Sequence, residues 1–424
     1  MNAAAQEKPR PSLAARFGPL AVAIVISVVA FCELARGTFW LPGLLGTLTI
    51  LAGLVCAWGR KGRVLAVNMI AIFGLLVAAE AYLLWARVPV EPRLSPPLSH
   101  WKRMHESASS DVYFYPQAPW ASDDALGSIH LPNSKTTERR YFAGHLIASA
   151  TYTTVAHGFR VVKPANRDAD AVLLFGCSMT WGSNIEDRES YPWQLGELLG
   201  PTTQVKNFGI AGSGPNTMLG IIEAGYERES LPSGNVRGAY YVAWLQRPIG
   251  HLARVLGRVP WAASALRYRL NGEGRPPYVL PDGRFPLSFD QWLGRQSLLT
   301  AQLGRALGAR KLSSRYRPED LALLAGVVRE ADRLLQLRDR TPLTVLILTD
   351  YSARDLELQL AELLSAAKLR VLLLSLPPEA HVRGDVHPNA LGARMLARAV
   401  ANDLARPQPG APSGAPVWLN TSDL

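Results

Sequence analysis

The residues whose types and spacing suit chemistry lie at two distant places in the chain. The first is Gly176-Cys177-Ser178, which follows the apolar run Ala171-Val-Leu-Leu-Phe175. Five consecutive apolar residues fit a strand buried on both faces. The turn after it leaves the Ser178 hydroxyl at the strand's C-terminal end, where open α/β sheets bind ligands. A serine on a strand-to-helix turn is placed for nucleophilic attack, because nearby backbone N–H groups can hold a developing oxyanion. The second place is Asp385-Val-His387-Pro-Asn389, between an apolar run over 370–376 and a helical pattern over 390–404. An Asp and a His two residues apart on one loop offer the orienting acid and the general base that a serine needs. Alone, these residues also read as a polar loop before an Asn-started helix. Ser178 at the matching end of the same predicted sheet favours the catalytic reading.

The elements that must position these loops alternate along the chain. Strands are predicted over 171–175, 204–207, 239–244, 344–348 and 370–376, and helices over 191–199, 217–229, 317–337, 353–368 and 390–404. Such alternation predicts a parallel sheet with helices on its faces. The second strand runs into Gly209, Gly212 and Gly214, which let the backbone pass close to a ligand and expose N–H groups. Their spacing is not the dinucleotide fingerprint, and there is no lysine-containing phosphate loop.

Three blocks, Gly176-Cys-Ser-Met-Thr-Trp-Gly182, Asn207-Phe-Gly-Ile-Ala-Gly-Ser-Gly214 and Asp385-Val-His-Pro-Asn389, resemble three sequence blocks of the SGNH/GDSL hydrolases in the same order. The resemblance spans about 171–404, roughly half the chain. It implies a three-layer α/β/α fold that hydrolyses or transfers acyl esters. It implies Ser178 as nucleophile, Asp385 and His387 as acid and base, and the N–H groups of Ser178 and Gly212 as oxyanion donors. There are two departures. Cys177 stands where the family usually has Asp, and the block that supplies a Gly-Asn donor is not recognisable. After 239–244 the chain reads Leu-Gln246-Arg-Pro-Ile-Gly-His251, so Gln246 and His251 are the candidate replacements.

Composition narrows the class. The chain has 424 residues, 48% of them hydrophobic, and a formal charge of +11. Its arginines are scattered and several flank apolar runs, where membrane topology accounts for them, and no nucleic-acid-binding signature is present. No nucleic-acid partner is expected. The three cysteines, Cys32, Cys56 and Cys177, give no disulfide framework. His381, His387 and Asp385 are a weak ligand set, so neither metal nor cofactor is expected.

The first third reads as a membrane anchor over 1–87. Apolar runs at 17–35, 39–58 and 64–86 are each long enough to cross a bilayer as a helix. The basic N-terminus and the Arg60, Lys61 and Arg63 cluster belong on the cytoplasmic side. Three crossings then put the rest of the chain outside a bacterial inner membrane, in the periplasm of a Gram-negative cell. A Pro-rich linker follows over 88–99, then a β-rich subdomain or flap over 100–167. The SGNH-like α/β domain covers 168–406. It carries an arginine-bearing insertion over 248–312, with a hairpin expected around Asp282-Gly283. The Pro, Gly and Ser of 407–424 read as a disordered tail.

The expectation is a membrane-anchored serine esterase acting on acyl esters of cell-envelope or exported glycans, or of lipids, through an acyl-enzyme on Ser178. Two alternatives use the same fold. One is an O-acetyltransferase in polysaccharide modification with the same residues. The other is a glycan-binding scaffold without catalysis.

Overall fold

The computed structural model describes residues 102–105, 110–116, 119–166, 168–229, 231, 235–245, 250–259, 265–285, 316–349, 353–406, 415–420 and 424. The chain divides into two units. One, Met1–Val88 with Phe289–Leu307, lies wholly outside the described residues, and with it the three expected membrane spans. The 88–99 linker, Gln246 and much of the 248–312 insertion lie outside them too. No described helix is long and apolar enough to cross a membrane.

The second unit begins with a β-rich segment: β1 (Lys102–His105), β2 (Ser110–Tyr115), β3 (Trp120–Asp123), β4 (Gly127–His130), β5 (Lys135–Phe142) and β6 (His145–Thr153). Strands β1, β2, β5 and β6 form an antiparallel sheet in that order, and β3 pairs with β4 as a hairpin. No strand forms over residues 158–162. A short 3-10 turn, Ala156–Gly158, and a single bridge between Thr154 and Arg160 stand there. Gly158 makes this turn at φ +72°, so close to β4 that a Cβ would sit 2.0 Å from the His130 carbonyl oxygen.

Next come β7 (Asp170–Gly176), α1 (Ser178–Trp181), α2 (Tyr191–Leu199), β8 (Thr203–Gly209), α3 (Pro215–Ala224), α4 (Tyr226–Glu229), β9 (Val236–Trp244) and α5 (His251–Val255). After these follow β10 (Leu266–Leu270), β11 (Val279–Arg284), α6 (Pro318–Asp339), β12 (Leu343–Leu348), α7 (Arg354–Ala366), β13 (Arg370–Leu374), α8 (Ala390–Ala405) and β14 (Val417–Leu419). Six strands form one parallel sheet in the order β14-β13-β12-β9-β7-β8. Chain direction across the sheet reverses at β7: β8 lies on one side of it and β9 on the other. That is the switch point at which doubly wound sheets hold ligands.

Side-chain alternation explains why these strands read as continuous apolar runs. Leu173, Phe175, Tyr241, Val345, Ile347 and Leu373 pack on one face with helices α3, α6 and α7. Their neighbours Val172, Leu174, Val242, Leu346, Leu348 and Leu374 pack on the other with α2 and α8. Both faces are covered, so both alternating sets are apolar.

Three expectations are corrected. The helix expected over 217–229 breaks at Gly225, which takes a left-handed φ of +78° and ends α3. The hairpin exists, but Asp282 and Gly283 lie inside β11, where Asp282 pairs with Arg267 at 2.7 Å. The turn falls earlier, between Leu270 and Val279. Of the tail expected to be disordered over 407–424, residues 407–414 and 421–423 lie outside the described residues, but Val417–Leu419 form β14 at the sheet edge, paired with Leu372–Leu374. Leu419 and Leu424 have apolar partners in the core there, which the Pro- and Gly-rich composition did not reveal.

Candidate active site

Ser178 is the first residue of α1, directly beyond the C-terminal end of β7. Gly182 and Ser183 N–H groups both donate to its carbonyl, at 3.0 and 3.1 Å, closing a tight turn. The end of β8 approaches closely: a Cβ on Gly209 would sit 2.5 Å from Trp181 N. The glycine-rich turn is tied to the same place, because Ile210 N–H and the Ser213 hydroxyl both donate to the Gly176 carbonyl, at 3.2 and 3.0 Å. Ser213 N–H donates to Ile210 O at 3.0 Å, and Ala211 N–H to His130 Nε2 at 3.2 Å. Neither Ser178 N–H nor Gly212 N–H has an acceptor among the described residues. Gly212 holds a φ of +81°, a conformation that favours glycine. One of these N–H groups follows β7 and the other follows its neighbour β8, and donors of this kind are what an oxyanion needs.

Asp385 and His387 sit on the loop between β13 and α8. His387 Nδ1 lies 2.5 Å from Asp385 Oδ1, which also accepts the His387 backbone N–H at 3.1 Å. An ionised carboxylate only accepts, so the proton is assigned to Nδ1 and Nε2 is left as the base. The loop is rigidly tied. Val382 N–H donates to His387 O at 2.9 Å, and Asn389 caps α8 by accepting from Leu391 and Gly392 N–H at 2.9 and 3.1 Å. Burial alone would raise the Asp385 carboxyl. The His387 imidazole and its hydrogen bonds, and then the Arg140 guanidinium, outweigh burial and hold it far below the usual carboxylate range.

In the sheet, β12 and β9 stand between β13 and β7, about 14 Å at ordinary strand spacing. The acid-base loop must therefore reach across the sheet end to meet the serine turn. It does: Asn184, just beyond α1, donates Nδ2–H to Asp385 Oδ2 at 3.2 Å. The Ser178 hydroxyl is oriented toward Cys177 Sγ at 3.8 Å, and no direct hydrogen bond joins it to His387 among the described residues. Catalytic serine–histidine bonds are often long before substrate binds. Both side chains are nearly buried, His387 at 14% exposed.

His251 is fully buried at the start of α5. Its Nδ1 lies 2.5 Å from the Tyr241 hydroxyl and accepts from Trp244 N–H at 3.3 Å. Burial, then the charge of Arg254, depresses its pKa well below the usual histidine value, so it is neutral and its proton sits on Nε2. That Nε2 has no partner among the described residues. On the same short helix, Arg254 donates to Ser213 O in the glycine turn and lies over the Trp244 ring, 5.6 Å from its centroid. Arg254 is thus buried at the site rather than on a solvated face. His157, by contrast, pairs with Glu229 at 2.9 Å on the surface, and His145 is exposed.

Sequence reasoning missed the residues that the β-rich segment contributes. Each of the three blocks is held by one of them. Arg160 donates to the carbonyls of Trp181, Gly182 and Ile185 around the serine turn, at 2.9, 2.5 and 2.7 Å. His130 stacks on Trp181, centroids 3.5 Å apart, and accepts the Ala211 N–H. Arg140 meets Asp385 Oδ2 at 3.2 Å. One signal was available: Glu138 and Arg140 share a strand face, and both point inward.

No protein-family model and no curated protein matches the chain. Its solved structural neighbours include SGNH/GDSL hydrolases. A protein assigned to the lipolytic G-D-S-L family from Desulfitobacterium hafniense DCB-2 shares 11% identity, covers 55% of this chain and 98% of its own, and gives a TM-score of 0.30. AlinE4, an SGNH-hydrolase family esterase, shares 17% identity over 58% of this chain and 100% of its own, with a TM-score of 0.27.

Proposed function

We propose that this protein is a serine hydrolase of acyl esters that works through an acyl-enzyme on Ser178. The observation that carries the reading is the 2.5 Å contact of His387 Nδ1 with Asp385 Oδ1, on a loop that touches the serine turn through Asn184. His387 Nε2 takes the Ser178 proton as Oγ attacks the ester carbonyl. The oxyanion so formed receives the N–H groups of Ser178 and Gly212, and His251 Nε2–H is the candidate third donor. The imidazolium, balanced by Asp385, then passes its proton to the leaving alkoxide. Water, deprotonated by His387, attacks the acyl-enzyme, and the proton returns to Ser178 as the acid leaves.

The three apolar runs over 17–86 and their flanking charges support an inner-membrane anchor, with the catalytic domain on the outer side. Esters on envelope or exported glycans, or on lipids, are the substrates such a placement offers. The test is p-nitrophenyl acetate turnover by the detergent-solubilised chain beside Asp385→Asn. The variant keeps the shape of the acid but loses its charge, and a fall of about 10³-fold or more in kcat is expected. Equal turnover by both proteins would overturn the reading.

A further inference from the structure

The side of Asp385 facing away from His387 is not solvated. Its Oδ2 meets Arg140 Nη1 at 3.2 Å and accepts from Asn184 Nδ2 at 3.2 Å. Arg140 is fixed in turn, with Nε donating to Asn184 Oδ1 at 2.6 Å and Nη2 pairing with Glu138 Oε1 at 3.1 Å. Asn184 is anchored by its own N–H, which donates to the Tyr152 hydroxyl at 2.9 Å. Arg140, Glu138 and Asp385 side chains are all less than a tenth exposed. The guanidinium therefore spans from a strand of the N-terminal sheet to the acid of the C-terminal loop.

We propose that Arg140 is a positioning residue of the active site, clamping Asp385 through Oδ2 so that Oδ1 is presented to His387. The proposal rests on the reading of Ser178, His387 and Asp385 as a triad. Its consequence is that the β-rich segment completes the catalytic machinery rather than covering it as a flap.

Charge accounting gives the clamp a measurable sign. Among the described residues, the charged and titratable groups facing it are Glu138 and Arg140 from β5, Tyr152 from β6, and Asp385 and His387 from the loop. Arg160 lies beyond, 4.6 Å from the Tyr152 ring centroid, and is itself paired with Asp187 at 2.7 Å. With His387 neutral, Glu138, Arg140 and Asp385 sum to one negative charge. With His387 protonated, the cluster is neutral. Removing Arg140 adds to the negative surplus and favours the imidazolium. Removing the charge of Glu138 does the reverse.

The test is the imidazole titration of His387 in the full chain, followed by NMR on histidine-labelled protein and assigned by His387→Gln. It is read beside ester turnover. Arg140→Met is expected to raise the His387 pKa by about half a unit to one unit, and Glu138→Gln to lower it by a similar amount. In the same Arg140→Met protein kcat is expected to fall about 10- to 100-fold, with KM within about threefold, as one charge-assisted bond to the acid is lost. Arg140→Lys, which keeps the charge without the fork, should restore the titration and part of kcat. A folded Arg140→Met protein with unchanged titration and kcat overturns the proposal. Should that variant fail to fold, Glu138→Gln decides: a lowered pKa supports the clamp, and an unmoved one overturns it. If the wild type shows no Ser178-dependent turnover, the hydrolase reading fails. The titrations still decide whether Arg140 sets the charge at His387.

Discussion

His130 should make the stability of this domain steeply dependent on acid. It is buried between Trp120 and Trp181, with ring centroids 4.3 and 3.5 Å away, and its Nε2 accepts the Ala211 N–H at 3.2 Å. Burial, reinforced by the Arg160 charge, lowers its pKa from 6.5 to about 3. The folded chain therefore holds this imidazole neutral over a range in which the unfolded chain protonates it. The stability it confers is fully present above pH 6.5 and is lost progressively as pH falls toward 3. The slope is about 1.4 kcal/mol per pH unit, or about 2.7 kcal/mol between pH 6.5 and 4.5. His251, also depressed, acts with the same sign, while Glu223, Glu227 and Asp332, whose pKa values are raised by burial, act with the opposite one. The difference between wild type and His130→Gln isolates the one group, since glutamine offers an acceptor and does not titrate. Urea unfolding at pH 7.5 and 4.5, followed by tryptophan fluorescence, gives that difference. The protection factor of the Ala211 amide, its exchange rate relative to the unfolded chain at the same pH, should fall on acidification in the wild type alone. Equal pH dependence in the two proteins, within about 0.5 kcal/mol, would refute the reasoning.

Two further substitutions probe the serine turn. Gly209→Ala puts a Cβ 2.5 Å from Trp181 N, where backbone rather than a side chain must yield, and should cost about 1–3 kcal/mol in urea unfolding and slow probe labelling of Ser178. Arg160→Met strands the carbonyls of Trp181, Gly182 and Ile185 and the Asp187 carboxylate, and should cost about 3–5 kcal/mol. Asp187→Asn in the same chain should recover part of that loss, and a double-mutant cycle reads the recovery directly.

The sheet was legible because its strands are buried on both faces. Runs such as the Leu-Leu of β7 and β13 carry no polar interruption, and their turn residues punctuate them clearly. Ser178, Gly212, Asp385 and His387 were nominated by local signatures, Ser178 at the head of α1 and the other three on loops. The supports were not. Arg140 meets an acid 245 positions later in the chain, and His130 meets an amide 81 positions later, separations that no spacing encodes. Glu138 and Arg140 share the inward face of β5, but only the fold shows that Asp385 and Asn184 meet them there. The last strand, β14, was hidden by its composition. Its three residues, Val417 to Leu419, suit a strand, but they are a short run inside a Pro- and Gly-rich stretch and pair with β13 far back in the chain.

The most direct test of the central claim is to treat the full-length chain with a fluorophosphonate probe and map the adduct by peptide mass spectrometry. A single modified residue, Ser178, is expected, with labelling lost in Ser178→Ala and strongly slowed in His387→Ala. Labelling at another residue, or undiminished labelling of Ser178→Ala, would contradict the central claim.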